Sequence, residues 1–195
     1  MSRKHEHEIF CAGRAGKLIG FLRRLTQNPY KILRPFLKEG MTVLDFGSGP
    51  GFFSVPAAKL VGSAGKVYAV DVQQEMLDML IKYADKKGVV GNIVAINNPA
   101  QEIGIELEAD VVLAIYVVHE VEDREKLFLS LKRRLKPAGV LLLAEPKHRV
   151  SEKEFKETLE LAKKNGFEIT GDFKMLESRT AILKKIDNLL LTKDN

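Results

Sequence analysis

The sequence predicts an α/β fold: a mostly parallel sheet with helices on both faces and a C-terminal antiparallel hairpin. Strand-like and helix-like segments alternate five times between residues 41 and 164. The strand-like segments are continuous apolar runs, which is typical of parallel strands buried on both faces. Two further strand-like runs, 167–173 and 177–186, are separated by a short turn, and that spacing favours an antiparallel pair.

The elements are predicted from hydrophobic periodicity and from the residues that start and stop helices. Parallel strands are expected at residues 41–46, 66–71, 92–96, 110–115 and 140–144. Helices are expected at residues 52–60, 73–87, 123–135 and 151–164. Asn28 is expected to cap a short helix that begins at Pro29 and is cut short by Pro35. Ser151 and Glu154 form a predicted capping box at the start of the last helix.

The composition indicates an ordinary globular chain with a mixed-charge surface. It has 195 residues, 45% of them hydrophobic, and no run approaches the eighteen apolar residues of a membrane-spanning helix. The single cysteine, Cys11, excludes an internal disulfide and suits a reducing compartment, so we expect a cytoplasmic protein. The net charge of +5 admits nucleic acid as a partner but does not favour it, because 31 basic and 26 acidic residues are interleaved.

A glycine-rich segment carries the strongest functional signal. Gly47, Gly49 and Gly51 follow the first predicted strand and open a helix. Glycine permits a sharp turn and leaves no Cβ between the backbone and a ligand. The free N–H groups at the helix start favour a negative or electron-rich group. This turn lies at the carboxyl end of a parallel strand, where open α/β sheets bind their ligands.

An acidic residue at the end of the second strand is the next signal. Asp71 follows Gly51 by twenty residues, and an acid at this place accepts hydrogen bonds from ribose hydroxyls in nucleotide-binding units. The glycine spacing is Gly-x-Gly-x-Gly, and Phe52 occupies the position of the third glycine in the dinucleotide fingerprint. No pyrophosphate site is therefore required, and a nicotinamide oxidoreductase is the least favoured function.

These segments resemble the class I S-adenosylmethionine-dependent methyltransferases over about residues 40–186. The resemblance rests on Val-Leu-Asp-Phe-Gly-Ser-Gly-Pro-Gly at 43–51, Val-Tyr-Ala-Val-Asp-Val at 67–72, Gln-Glu-Met-Leu at 74–77, Ala-Asp-Val-Val-Leu-Ala at 109–114 and Leu-Lys-Pro-Ala-Gly-Val-Leu-Leu-Leu at 135–143. It implies a Rossmann-like, seven-stranded sheet in which only the last strand is antiparallel. That expectation agrees with the terminal hairpin.

The resemblance also implies S-adenosylmethionine as the cofactor and assigns its contacts. Asp45 is expected near the ammonium group, the backbone of Gly47 and Gly49 along the methionine part, and Asp71 at the ribose. The other implied cofactor-binding residues are Ser48 and Gly51 in the glycine segment, Val72 and Met76 at the adenine, Asn98 at the adenine edge, and Ala114 and Ile115 beside the methionine and methyl group.

The methyl-transfer step needs few catalytic groups. A sulfonium methyl group is already activated, so the protein mainly positions the nucleophile and excludes water. A base is needed only when the acceptor must lose a proton. Tyr116 and His119, just beyond the fourth strand, are the predicted catalytic residues, and Glu120, Glu145 and His148 are further candidates. His119 is equally consistent with a helix-capping or space-filling role.

The methyl acceptor stays open between several classes. The segment Ala-Ile-Tyr-Val-Val-His at 114–119 lacks the Asn/Asp-Pro-Pro-aromatic motif of enzymes that methylate exocyclic base nitrogens. In this region the chain looks more like small-molecule methyltransferases, including those that act on quinone rings. A small or lipophilic acceptor is therefore expected. An RNA methyltransferase and a non-catalytic S-adenosylmethionine-binding protein are the alternatives.

The terminal segments add three expectations. Residues 1–39 are expected to form an N-terminal helical segment that can act as a lid, because a lid shields methyl transfer from water. Residues 187–195 are expected to form a tail beyond the methyltransferase domain at 40–186. His5, His7 and Cys11 have no second cluster of ligands, so no metal site is predicted, and the oligomeric state is not predicted either.

Overall fold

The computed structural model describes residues 27–98 and 106–186, in which a seven-stranded sheet is flanked by helices. The strands are β1 Thr42–Phe46, β2 Lys66–Asp71, β3 Ile93–Asn97, β4 Ala109–Ile115, β5 Leu135–Pro146, β6 Phe167–Gly171 and β7 Ser178–Lys185. The helices are α1 Pro29–Leu33, α2 Ser54–Val61, α3 Gln74–Lys86, α4 Arg124–Arg133 and α5 Glu152–Lys164, with 3₁₀ turns at Val90–Asn92 and Val118–Glu120.

The sheet has the strand order β3-β2-β1-β4-β5-β7-β6. Strands β1 to β5 pair in parallel, whereas β7 is antiparallel to both β5 and β6. The predicted seven-stranded fold with one antiparallel strand is therefore confirmed. The strand order reverses between β1 and β4, and such a switch point opens a crevice at the carboxyl ends of the strands.

The two faces of the sheet pack into separate cores. Neighbouring residues of β1 divide between them, with Val43 in the core under α1, α2 and α3, and Leu44 in the core under α4 and α5. In the second core the rings of Phe128 and Phe167 meet edge to face at 6.0 Å. Burial on both faces explains why β1 and β4 read as continuous apolar runs.

Strand β5 begins earlier than the sequence predicts. We expected a helix up to Leu135 and a strand from Val140, but α4 ends at Arg133 and β5 begins at Leu135. Leu135 pairs with Ala109 of β4, and the register shifts before the next pair. Gly139 permits this close approach, because a Cβ there would lie 3.0 Å from the carbonyl oxygen of Ala109.

The described part of the N-terminal segment is packed into the core. The side chain of Asn28 accepts a hydrogen bond from the backbone N–H of Lys31, and α1 ends at Leu33, so the predicted cap and the short helix are confirmed. Leu33 and Leu37 are buried beside α2. The expected lid and tail fall largely outside the described residues, at 1–26 and 187–195. In the parts that the structure describes, no helix is long and apolar enough to cross a membrane.

The carboxylate of Asp110 links β1, β4 and β5 near the amino ends of these strands, opposite the end of the sheet that carries the glycine segment. Asp110 accepts hydrogen bonds from the backbone N–H of Thr42 and from Nζ of Lys136, each at 2.8 Å. Partial burial by itself would raise the pKa of Asp110, but the hydrogen bonds from Lys136 and Thr42 and the nearby positive charge outweigh it, so the pKa lies below its ordinary value. The ionised form of Asp110 therefore stabilises the fold.

We expect Asp110→Asn to lower the free energy of unfolding at pH 7 by about 1 kcal/mol, because one charged acceptor of two hydrogen bonds is lost at a partly exposed site. A lowered folded-state pKa contributes stability above the unfolded pKa and loses it as pH falls. The difference in free energy of unfolding between wild type and variant should therefore become smaller below about pH 4. Urea unfolding from pH 7 to pH 3 measures it.

The matched control is Asp172→Asn, which removes the same charge from an exposed loop position. It should change the free energy of unfolding by less than about 0.5 kcal/mol. A gap for Asp110→Asn that stays constant down to pH 3 would contradict the assignment of the stabilisation to the ionised carboxylate.

Candidate active site

The glycine loop between β1 and α2 is held close to the segment after β4. The backbone N–H groups of Gly47 and Ser48 both donate to the carbonyl oxygen of Val70 in β2. Gly47 has φ 73°, and a Cβ on it would lie 2.4 Å from Cγ2 of Val117. Only glycine fits this position, so the loop can approach the end of β4 closely.

Asp71 connects the glycine loop to the end of β2. Its Oδ2 accepts a hydrogen bond from the backbone N–H of Gly49 at 2.8 Å, and its Oδ1 accepts one from Gln73 at 2.9 Å. A carboxylate oxygen has two lone pairs, so Asp71 retains acceptor capacity beyond these two bonds. Gly49 has φ 51°, and a Cβ on it would meet no atom within 4 Å. The tip of the loop therefore faces open space beside the carboxylate.

Two polar side chains lie beneath the loop. Asp45 is 3% exposed and accepts a hydrogen bond from Oγ of Ser54, at the start of α2, at 2.5 Å. Ser48 is also buried, and its Oγ has no hydrogen-bond partner among the described residues. A buried hydroxyl without a partner in the protein suits a ligand or a water molecule.

An apolar surface lies next to Asp71. Val72 is 61% exposed, the largest exposed fraction among the large apolar side chains that the structure describes, and Met76 is half-buried in the first turns of α3. The backbone N–H of Asn98 donates to the carbonyl oxygen of Asp71 at 3.0 Å, so Asn98 lies beside this surface. Residues 99–100 of the expected adenine loop fall outside the described residues.

The end of β4 forms the floor between these groups. Ala114 is fully buried and pairs with Phe46 of β1, while Ile115 is 6% exposed. Their side chains belong to opposite cores. Both residues lie at the carboxyl end of β4, and their side chains contribute to packing.

Tyr116 has an unusual backbone conformation just beyond β4. Its φ is 65°, which bulky side chains rarely adopt and which costs about 1–3 kcal/mol. The backbone N–H donates to the carbonyl oxygen of Ala144 at 2.8 Å. The hydroxyl accepts a hydrogen bond from Nε2 of Gln27 at 2.7 Å and makes a further hydrogen bond with Oγ of Ser178. Tyr116 thus joins the segment before α1, the end of β4 and the start of β7.

His119 is paired with a buried carboxylate. Glu145, near the carboxyl end of β5, is 1% exposed. Its Oε1 accepts the backbone N–H of His119 at 3.0 Å, and its Oε2 lies 2.6 Å from Nδ1 of the same residue. Nε2 of His119 is buried and has no hydrogen-bond partner among the described residues. From sequence, Glu145 was only one of several candidate bases, because its contact with His119 depends on the pairing of β4 with β5.

The two remaining candidate bases have exposed side chains. Glu120 has a 58% exposed side chain, and His148 lies exposed in the turn after β5. Within residues 27–98 and 106–186, no group of three or more His, Cys, Asp or Glu side chains is placed to hold a metal ion. His5, His7 and Cys11 lie outside the described residues.

Comparison with known proteins gives concordant findings. The family model described as a methyltransferase domain matches residues 37–190. The ubiquinone/menaquinone biosynthesis C-methyltransferase UbiE of Escherichia coli (strain K12 / DH10B) is 32% identical over 110 residues, which are 56% of this chain and 44% of that protein. The chain therefore aligns with less than half the length of this relative.

Solved structures share the fold. A SAM-dependent methyltransferase from Aquifex aeolicus has a TM-score of 0.77 and 28% identity, covering 88% of this chain and 96% of that chain. A putative rRNA-methylase from Clostridium thermocellum has a TM-score of 0.66 and 19% identity, covering 81% of this chain and 93% of that chain. The second likeness concerns the fold alone.

The family match spans most of the chain and includes the glycine loop, Asp71, His119 and Glu145. The structural relative from Aquifex aeolicus, aligned over nearly its whole length, uses S-adenosylmethionine according to its description. Both findings agree with the motifs at the ends of β1 and β2. The chain therefore belongs to the methyltransferase domain family, and the resemblance to the S-adenosylmethionine-dependent methyltransferases is confirmed.

Proposed function

We propose that this protein transfers the methyl group of S-adenosylmethionine to a small or lipophilic acceptor. One observation carries the proposal: the carboxylate of Asp71 holds the N–H of Gly49 at a loop tip that faces open space. The pair lies at the carboxyl ends of β1 and β2, next to the switch point between β1 and β4 where open α/β sheets bind ligands. An acid and an open backbone at this place suit an adenosyl group.

The residues at this edge fit S-adenosylmethionine, which when bound supplies a sulfonium methyl group to a nucleophile. Asp45 offers a buried carboxylate that suits an ammonium group. The free lone pairs of Asp71 suit ribose hydroxyls. The exposed side chain of Val72, with Met76 beside it, offers an apolar surface for adenine. Gly49 has no Cβ that would occupy the same space.

The other cofactor contacts are proposed from where the residues lie around the glycine loop. Gly47 and Gly51 shape the loop, and the unpartnered Oγ of Ser48 offers a hydrogen bond beneath it. Asn98 lies beside Asp71 and would meet the adenine edge. We propose that Ala114 and Ile115 form the floor at the methyl group.

Tyr116 and His119 lie beyond the floor, on the side where an acceptor would enter. The hydrogen bonds of the Tyr116 hydroxyl to Gln27 and Ser178 fix the ring, so we assign Tyr116 to the wall of the acceptor site. His119 has an unpartnered ring nitrogen among the described residues and is the proposed catalytic base.

The acceptor class is inferred from the relatives and the site together. UbiE is named as a C-methyltransferase of quinone biosynthesis, and this supports a ring-bearing small molecule as the acceptor here. The single cysteine, Cys11, is compatible with the cytoplasm, where we place the reaction. The alternative of an RNA acceptor is favoured only by the net charge of +5. It would show steeply salt-dependent RNA binding.

We expect Asp71→Ala to weaken S-adenosylhomocysteine binding roughly ten- to hundredfold, because losing a charged hydrogen-bond acceptor costs roughly 1.5–3 kcal/mol. Calorimetric titration with S-adenosylmethionine, S-adenosylhomocysteine and NADH measures the effect, and NADH should not bind. An analogue without the ribose 2′-hydroxyl separates direct contact from loop support. Wild type should discriminate against it, whereas Asp71→Ala should not.

Asp172→Ala is the control for the loss of one surface carboxylate and should leave the affinity unchanged. If neither adenosyl compound binds to the folded wild-type protein, the proposed function is wrong. Equal discrimination by wild type and Asp71→Ala would instead remove only the ribose contact from the proposal.

Gly49→Ala tests whether the open space at the loop tip is the ligand site. The new Cβ meets no protein atom within 4 Å, so the protein itself loses only the backbone preference of glycine, about 1 kcal/mol. Gly88→Ala is a matched control, with φ 68°, no atom within 4 Å, and a place just past the far end of α3. We expect similar losses of thermal stability, but at least tenfold weaker S-adenosylhomocysteine binding only in Gly49→Ala.

The activity itself is tested by S-adenosylhomocysteine formation on a panel of acceptors. Phenols, 1,4-naphthoquinol and 1,3-diketones represent acceptors that lose a proton. Dimethyl sulfide and N,N-dimethylaniline represent acceptors that lose none. We expect turnover in the first group. Cofactor binding without any turnover across the panel and a mixture of cellular metabolites would favour a non-catalytic binding protein.

A further inference from the structure

Both carboxylate oxygens of Glu145 contact the same residue. Glu145 and Asp45 are the buried carboxylate residues in the described part of the chain. Asp45 lies under the glycine loop, whereas both oxygens of Glu145 contact His119, one at the backbone N–H and one at Nδ1. A buried carboxylate is costly unless it is hydrogen-bonded, so the two contacts of Glu145 restrict what His119 can do.

The contact selects one form of the imidazole ring. The backbone N–H of His119 is always a donor and is taken by Oε1 of Glu145 at 3.0 Å. A carboxylate oxygen without a proton can only accept, so Nδ1, 2.6 Å from Oε2, is assigned as the donor of this pair. In the neutral ring the lone pair then lies on Nε2. Glu145 therefore aims the basic nitrogen of His119 away from β5.

The surroundings of Nε2 leave that lone pair without a donor. Nε2 is buried and has no hydrogen-bond partner among the described residues. Oε1 of Glu120 lies 3.8 Å from Nε2 and is itself an acceptor when ionised. Arg149 lies 3.9 Å from the same oxygen of Glu120, at the exposed surface. An unfilled acceptor at the carboxyl ends of β4 and β5 suits a ligand or a water molecule that donates a hydrogen bond.

We propose that Glu145 is a positioning residue that holds His119 as the proton acceptor, and that the methyl acceptor is an O–H or C–H acid. This inference rests on the proposed methyl transfer. As the acceptor atom bonds to the methyl carbon, the methyl–sulfur bond breaks and its electron pair stays on sulfur. The acceptor's proton moves to Nε2, and the resulting imidazolium is stabilised by the carboxylate of Glu145. A thioether or tertiary amine would need no such group.

The variant Glu145→Gln tests the inference directly, because it should change which ring nitrogen of His119 carries the proton. The amide has one oxygen and one NH₂ group, and it must face two partners. The backbone N–H of His119 cannot become an acceptor, so the amide oxygen faces it. The NH₂ group then faces Nδ1, which must accept, and the proton moves to Nε2. The substitution preserves volume at a fully buried position but reverses the tautomer.

Nitrogen NMR of the ¹⁵N-labelled full-length protein, with and without S-adenosylhomocysteine, reads the tautomer directly. The His119 signals are those that disappear in His119→Gln. We expect a protonated Nδ1 and a bare Nε2 in wild type at pH 8, and the reverse in Glu145→Gln. Glu122→Gln, an exposed change in the same loop, should leave the wild-type pattern. A wild-type ring with Nε2 protonated, or with both nitrogens protonated as in a structural ion pair, would overturn the inference.

Wild-type NMR gives this answer even if Glu145→Gln fails to fold. In the acceptor panel, kcat for a phenol or quinol should fall about a hundredfold or more in Glu145→Gln, the usual contribution of a general base. Turnover of dimethyl sulfide or N,N-dimethylaniline that the variant leaves unchanged would overturn the acceptor class. If wild-type protein does not bind S-adenosylhomocysteine, the proposed function is refuted, but the assignment of the His119 tautomer is not. The two failures are therefore distinguishable.

Discussion

Burial of the inner strands on both faces is the constraint on which the site depends. Strands β1, β4 and β5 lie between two cores, so a polar side chain on them must have a partner or lie at a strand end. Asp45 meets Ser54, and Glu145 meets His119. Because the strands are parallel, their carboxyl ends meet at one edge, and the polar groups collect there.

This constraint explains how much of the fold could be predicted from the sequence. The alternation of strands and helices, the cap at Asn28 and the terminal hairpin follow from local patterns, and all are found. The early start of β5 depends on the pairing of Leu135 with Ala109 and on the missing Cβ of Gly139. Such a contact between distant segments has no local signal.

The candidate site also has one part that local sequence patterns predict and one part that they do not. The glycine loop and Asp71 are each marked by residue type and position within one βα unit, and the structure brings them together. The proposed acceptor side is assembled from segments far apart in the chain. Tyr116 contacts Gln27 and Ser178, and His119 contacts Glu145 across two neighbouring strands. Those pairs become visible only when the strand order is known.

The antiparallel strand has a consequence for how acceptor preference can diverge among relatives. Because β7 runs against its neighbours, its first residue, Ser178, lies at the same edge as the end of β5 and reaches Tyr116. The hairpin 167–185 therefore contributes Ser178 to the proposed acceptor side, while Asp71 and the glycine loop lie at the ends of β2 and β1. Under the proposed function, exchange of this hairpin between homologues would change the acceptor side and leave the residues proposed to bind the adenosyl group in place.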